Sequence, residues 1–182
     1  MINRSYPLIS VVTPSYNQAG YLERTILSVL DQNYPELEYI IIDGGSTDGS
    51  VDIIKRYDKY LKYWVSEPDR GQSHAINKGF QRATGELLGW LNSDDYYMPA
   101  ALDRVAEVAL ANPGAGAFVG IGQIVDSRDR VIYYKEPNSQ ITLESLYNWM
   151  NGGNFLQPSC FVTRGAREDA GKLDETIHMA FD

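Results

Sequence analysis

Cysteine and histidine are scarce: one cysteine, Cys160, and two histidines, His74 and His178, in 182 residues. A single cysteine excludes an intramolecular disulfide and suits a reducing compartment. With so few soft ligands, a structural zinc site is excluded as well. Positive charge is also short. Lys and Arg number 16 against 24 Asp and Glu, for a net charge of −8. Such a chain has no general electrostatic attraction to nucleic acid or an anionic membrane. A phosphate-bearing ligand would have to be met locally, by a metal ion, a few basic side chains or backbone N–H groups. No apolar run approaches the ~18 residues of a spanning helix. No apolar stretch of signal-peptide character follows Arg4. The plain reading is a soluble, cytoplasmic protein, with peripheral association at the inner face of a membrane left open. Neither G-x-G-x-x-G nor G-x-x-x-x-G-K-[ST] occurs, so a dinucleotide fold and a P-loop lose their best support.

What is present is ordinary globular material: 43% hydrophobic and 22% charged residues. The length fits one domain, able to bury about 70% of the surface of its unfolded chain. Short apolar runs alternate with helical patterns. Residues 8–13 and 39–42 read as strands, as do 63–65 and 87–91. Leu22, Ile26, Val29 and Leu30 share a helix face, Val51 to Asp58 suggests a second helix, and 75–83 a third. Pro99 sits where it would open a fourth helix at the first helical position, ending near Asn112. Residues 117–125 and 131–134 flank Asp126-Ser127-Arg128-Asp129 and read as a hairpin. Beyond Glu136 the pattern loosens to one short helix (142–148) and one strand (159–163). The β-α-β-α-β-α-β order implies an α/β fold with a mostly parallel central sheet and helices on both faces.

Ligands in such folds sit at the carboxyl ends of the strands. There the sequence places Thr13-Pro14-Ser15-Tyr16-Asn17, then Asp43-Gly44-Gly45-Ser46, then Glu67-Pro68-Asp69-Arg70-Gly71, then Asn92-Ser93-Asp94-Asp95. Each has a plain alternative. Pro14 and Asn17 also suit a strand end and a helix cap, and Gly44-Gly45 suits a simple turn. Asp94-Asp95 is harder to dismiss. Adjacent carboxylates repel, and a hard cation such as Mg²⁺ or Mn²⁺ is a simpler compensation than a solvated loop.

The ordered set resembles the inverting glycosyltransferases of family 2, with the GT-A fold. The matching features are Ser10-Val11-Val12-Thr13-Pro14-Ser15-Tyr16-Asn17, then Ile42 to Gly49, then Asp69-Arg70-Gly71 with Asn77-Lys78-Gly79. They continue with Gly85-Glu86-Leu87 running into Asn92-Ser93-Asp94-Asp95, then Gln157-Pro158-Ser159 and Gly171-Lys172-Leu173-Asp174-Glu175. The resemblance implies a single glycosyltransferase domain over residues 1–182. Residues 1–98 would form the nucleotide-sugar half and 99–182 an acceptor-side half with a small antiparallel part. It implies transfer of a sugar from a nucleoside-diphosphate donor, UDP- or dTDP-sugar favoured, to an acceptor hydroxyl with inversion. The acceptor would be a carbohydrate or lipid-linked molecule, as in cell-surface polysaccharide synthesis.

By the same resemblance, Thr13, Pro14, Tyr16, Asp43 and Gly44 border the base and ribose. Asp69, Arg70 and Lys78 lie along the nucleotide, and Asn92, Ser93 and Asp94 face the ribose or donor sugar. Asp95 holds Mn²⁺ or Mg²⁺. Asp182 is the catalytic base. One departure stands out: many relatives carry two aspartates where this chain has Asp43-Gly44, which leaves the choice of base open. Because Asp182 is the last residue, the resemblance also suggests a C-terminal truncation, with the acceptor side incomplete. The competing reading is a donor-binding but catalytically incompetent fragment or module of a larger protein. A sugar nucleotidyltransferase ranks lower, because no basic residue follows the first strand before Arg24.

Overall fold

The computed structural model describes residues 6–137, 141–147 and 155–177. Strands β1 (Ile9–Ser15), β2 (Leu37–Asp43), β3 (Tyr63–Ser66) and β4 (Leu87–Trp90) are parallel. Helices α1 (Leu22–Leu30), α2 (Ser50–Arg56) and α3 (Gln72–Arg82) connect them. After α4 (Ala101–Ala111) come β5 (Ala117–Val119), β6 (Gly122–Val125) and β7 (Val131–Lys135). Helix α5 (Leu143–Tyr147), β8 (Cys160–Thr163) and α6 (Arg164–Ala170) follow. The main sheet runs β3-β2-β1-β4-β8-β5, with β8 antiparallel to both neighbours, and β6 and β7 form a separate antiparallel pair.

The two faces of the sheet are buried by different helices. Ile9, Val11, Tyr39 and Ile41 point to one side, where Leu22, Ile26 and Val29 of α1, Ile53 and Ile54 of α2, and Leu102 of α4 meet them. Val12, Ile40, Ile42 and Leu88 point to the other, against Ala75, Ile76 and Phe80 of α3. Burial on both faces is why β1 and β2 read as unbroken apolar runs. The side each helix takes follows from travel along the sheet. The chain steps outward from β1 to β2 to β3, then crosses back to β4 on the far side of β1. With crossovers of constant right hand, reversing direction moves the connecting helix to the opposite face. Gly79 lets α3 lie close to the sheet: a Cβ there would come within 2.3 Å of Val12 Cγ1.

Two buried polar residues pin the strands. Tyr39 OH and Thr13 Oγ1 are 3.0 Å apart inside the core. Glu38, 5% exposed, accepts Ser10 Oγ at 2.7 Å and Thr84 N at 2.7 Å, and the Thr84 hydroxyl binds it as well.

Several boundaries differ from the sequence expectation. Helix α3 starts at Gln72, a turn earlier than the apolar pattern showed, because its first turn is polar and faces the ligand edge. Pro99 does not open α4. The helix starts at Ala101, behind Ala100 at φ 62°. The expected hairpin arm 117–125 is split. Residues 117–119 join the main sheet, where Phe118 is buried, and only 122–125 pair with β7. Helix α6 was not expected, since Arg164–Ala170 has no apolar stripe; Thr163 Oγ1 caps it by accepting Ala166 N at 3.2 Å.

Candidate active site

Strand order reverses between β1 and β4, and a cleft of about 610 Å³ opens at their carboxyl ends. Pro14, Ser15, Tyr16, Gly44, Asp69, Gln72, Asn92, Ser93 and Asp94 line it. The strand-end loops are locked together. Asn17 N donates to Ser46 Oγ at 2.8 Å, and Thr47 N donates to Asn17 Oδ1 at 2.9 Å. Ala19 N reaches Asp48 Oδ2 at 2.8 Å, and Gln18 N reaches Ser50 Oγ at 3.1 Å. Bonds from Ser50 and Ala19 hold the Asp48 carboxyl below the ordinary aspartate range. Tyr16, 63% exposed, stands out from this rigid frame as a free aromatic face.

Thr13 and Asp43 lie beneath the cleft rather than on its surface; both are fully buried. Asp43 Oδ2 accepts Gly45 N at 3.1 Å, Ser46 N at 2.8 Å and Ser66 Oγ at 2.6 Å, and its Oδ1 accepts Ser46 Oγ at 2.5 Å. Its carboxylate therefore shapes the Gly44-Gly45 loop. Gly44 has its own reason: a Cβ there would come within 2.9 Å of Asp69 Oδ2, while Asp69 Oδ1 is held by Gly71 N at 2.8 Å.

The Asp94-Asp95 turn is fixed from below. Thr25 Oγ1, on the buried face of α1, lies 2.9 Å from the Ser93 carbonyl and 2.7 Å from that of Asp95. Asp95 N donates to the Asn92 carbonyl at 3.1 Å, and Gln72 Nε2 donates to Asn92 Oδ1 at 2.6 Å. Asn92 and Asp94 also belong to a second cavity of about 960 Å³, walled by Asp95, Tyr96, Tyr97, Phe118, Ile124 and Gln157. Arg24 stacks 3.7 Å above the Tyr96 ring and pairs with Asp129 at 2.6 Å, which ties the β6–β7 turn to α1. Three buried polar atoms in these walls have no hydrogen-bond partner among the described residues: Ser15 Oγ in the cleft, and Tyr97 OH and Gln157 Oε1 in the second cavity.

Arg70 and Lys78 do not line the cleft. Arg70 pairs with Glu175 and Lys78 with Glu67. The charged residues on the cleft wall are Asp69 and Asp94, both acidic. Among the described residues, no group of three or more His, Cys, Asp or Glu side chains is arranged to hold a metal. The Asp94-Asp95 pair still fits a hard cation, which takes one or two carboxylates and completes its shell with phosphate oxygens and water. Asp182 and His178 lie outside the described residues, as do Trp149 and residues 151–154. Thr25, Gln72, Asn77 and Glu175 escaped the sequence reading as site residues. For Thr25 a signal existed: a hydroxyl on an otherwise apolar helix stripe.

Residues 10–168 match the model of the family described as Glycosyl transferase family 2. The chain belongs to this family. It is 40% identical over 171 residues to a Bacillus subtilis protein named as the teichuronic acid biosynthesis glycosyltransferase TuaG, covering 92% of this chain. It is 37% identical over 127 residues to a Nostoc sp. glycosyltransferase, covering 68% of this chain. The chain spans 65% of the length of the first relative and 39% of the second. Its GT-A type fold is shared with S. aureus TarS, at a TM-score of 0.75 and 22% identity over 95% of this chain and 52% of that one. A mannosyltransferase of Pyrobaculum calidifontis, solved with GDP-Man and Mn²⁺, gives 0.68 at 24% identity over 96% and 49%. TarS has also been solved with UDP. Among the described residues, no helix is long and apolar enough to cross a membrane.

Proposed function

We propose that this family 2 chain transfers a sugar from a nucleoside-diphosphate donor to an acceptor hydroxyl with inversion, as a single domain over residues 1–182. The observation that carries this is the cleft at the β1/β4 reversal, whose charged wall residues are acidic and which shares Asn92 and Asp94 with a second cavity. An anion enters such a cleft only with a cation beside it. Residues 1–98 form the nucleotide half and 99–182 the acceptor half, and residues of both halves wall the second cavity.

In this reading Tyr16 offers its exposed ring to the base, and the Pro14, Gly44 and Asp69 walls bound the nucleoside. Thr13 and Asp43 act through the loops they hold. Asn92, Ser93 and Asp94 meet the ribose or sugar. Asp95, with Asp94 beside it, would hold Mn²⁺ or Mg²⁺, which would supply Lewis-acid stabilisation of the charge on the leaving diphosphate. The loop network keeps donor and acceptor in line, a gain of positioning. Asp182 is assigned the role of general base toward the acceptor hydroxyl. UDP- or dTDP-sugars remain the favoured donors, and UDP bound to a neighbour of the same fold supports that choice. The acceptor is a carbohydrate or a lipid-linked saccharide, and the lone Cys160 suits the reducing cytoplasm, at or near the inner face of its membrane.

Calorimetric titration of UDP, dTDP and GDP, with and without Mn²⁺ and repeated on Asp95→Ala, tests this. One nucleotide binding only with Mn²⁺, and not to the variant, is the expected result. No binding by the folded chain would overturn the proposal. Binding and slow donor hydrolysis, with no transfer to any acceptor, would favour the donor-binding module instead.

A further inference from the structure

The segment 171–177 is tied to α3 by one buried amide. Asn77, 1% exposed, accepts Leu173 N at 3.0 Å and donates to the Leu173 carbonyl at 2.9 Å. Leu173 packs on the apolar face that holds Val12, Ile40 and Ile76. The same amide donates to Glu175 Oε1 at 3.0 Å. An amide has two N–H donors, and both are now used. The other carboxylate oxygen of Glu175 accepts from Arg70 Nη2. The bonds from Asn77 and Arg70 hold the Glu175 carboxyl below the ordinary glutamate range.

The pair is asymmetric. Glu175 is 25% exposed at its side chain and Arg70 is 68% exposed. A bridge this open contributes little to stability. Its geometry, however, is set in advance, because Glu175 is held from a buried donor before Arg70 meets it. Arg70 lies between Asp69, a wall of the cleft, and Gly71 at φ 106°. The guanidinium has five N–H donors in a planar fork suited to phosphate, and the Nη2 bond to Glu175 is its one side-chain hydrogen bond among the described residues.

Resting on the donor-cleft reading above, we propose that Glu175, anchored by Asn77, is a positioning residue that holds the Arg70 guanidinium, carried between the wall residues Asp69 and Gly71, ready to meet the donor's diphosphate. Fixing one edge of the fork removes side-chain freedom that phosphate binding would otherwise have to remove. The segment running on toward Asp182 and the arginine serving the donor are thereby indexed to one residue of α3.

The test is a double-mutant cycle on the full chain with Mn²⁺, using whichever of UDP, dTDP and GDP binds the unmodified protein. Arg70→Ala and Glu175→Gln should each weaken binding about tenfold, and the double variant should be no weaker than Arg70→Ala alone. Glu175→Asp, which keeps the charge but shortens the reach, should show a similar loss. Thermal midpoints of Arg70→Ala and Glu175→Gln should move little, since Gln still accepts from Asn77, which separates positioning from folding. Unchanged or tighter binding by Glu175→Gln would overturn the proposal, as would an equal loss in the Arg70→Ala background. If the unmodified chain binds none of the three nucleotides, the donor-cleft reading falls and takes this one with it. Binding without coupling removes this one alone.

Discussion

The carboxylate of Asp69 lies flat against Gly44: a Cβ on Gly44 would come within 2.9 Å of Oδ2, 3.2 Å of Cγ and 3.3 Å of Oδ1. The two residues come from the ends of adjacent strands, and a side chain at one position excludes the carboxylate from the other. Gly44→Ala should therefore displace Asp69 from the cleft wall without unfolding the loop, since the clash is with the tip of a side chain. The expected outcome is a loss of nucleotide affinity of about tenfold, with a thermal midpoint within a few degrees of the parent. A variant that binds as well as the parent would show that the Asp69 carboxylate has no part in the cleft.

Glu38 gives a pH-dependent contribution to stability. Burial by itself would raise its pKa, but the bonds from Thr84 and Ser10 and the charge of Lys62 outweigh it and hold the carboxyl below 4.5, the ordinary value. A depressed folded-state pKa means stability present above the unfolded value and lost as pH falls through the folded one. Urea unfolding of the parent should thus weaken as pH drops below about 4.5, and Glu38→Gln should flatten part of that slope. At neutral pH the variant should cost about 1–3 kcal/mol, because Ser10 and Thr84 lose a charged acceptor.

Thr25→Val removes the hydroxyl under the Asp94-Asp95 turn and keeps the shape of the side chain. The Ser93 and Asp95 carbonyls each lose a contact of 2.9 and 2.7 Å. A stability loss of about 1–2 kcal/mol is expected. Weaker Mn²⁺-dependent nucleotide binding should accompany it, measured by calorimetry. Lowered stability with unaltered binding would show that the turn holds its shape without α1.

Ala100 is in the left-handed region at φ 62° and ψ 18°, directly before α4 and on the wall of the second cavity. Such a conformation costs an L-residue about 1 kcal/mol, which glycine avoids. Ala100→Gly should raise stability by about 0.5 kcal/mol at most, because the freer unfolded chain takes back about 0.4–1 kcal/mol of the strain relieved. Differential scanning calorimetry should show a higher midpoint; a lower one would mean that Ala100 is relaxed where it sits.

The parallel half of the fold was readable because its strands are buried on both faces and its helices on one. Ile40-Ile41-Ile42 and the Leu22-Ile26-Val29 stripe leave little choice. The clustering of strand ends into one acidic cleft followed from that topology. The second half was read less well, since β8 and β5 reach the sheet through long-range pairing that no local pattern encodes. Within the site, residue type did not separate wall from support. Asp43 and Asp69 are both strand-end aspartates that accept a backbone N–H, yet Asp43 is fully buried with both oxygens taken by loop donors and Asp69 lies on the cleft wall. The Arg70–Glu175 contact spans 105 positions, beyond any spacing rule.

The placing of β8 between β4 and β5 also has a consequence for synthesis on the ribosome. Residues 117–119 emerge long before 160–163, yet β5 pairs with the main sheet only through β8. The parallel core through β4 can close as soon as it leaves the exit tunnel, but its β4 edge stays unpaired, and β5 has no partner strand in the main sheet, until β8 arrives. During that interval the nascent chain carries an open strand edge beside its half-built cleft. That edge is a surface open to premature association with other chains.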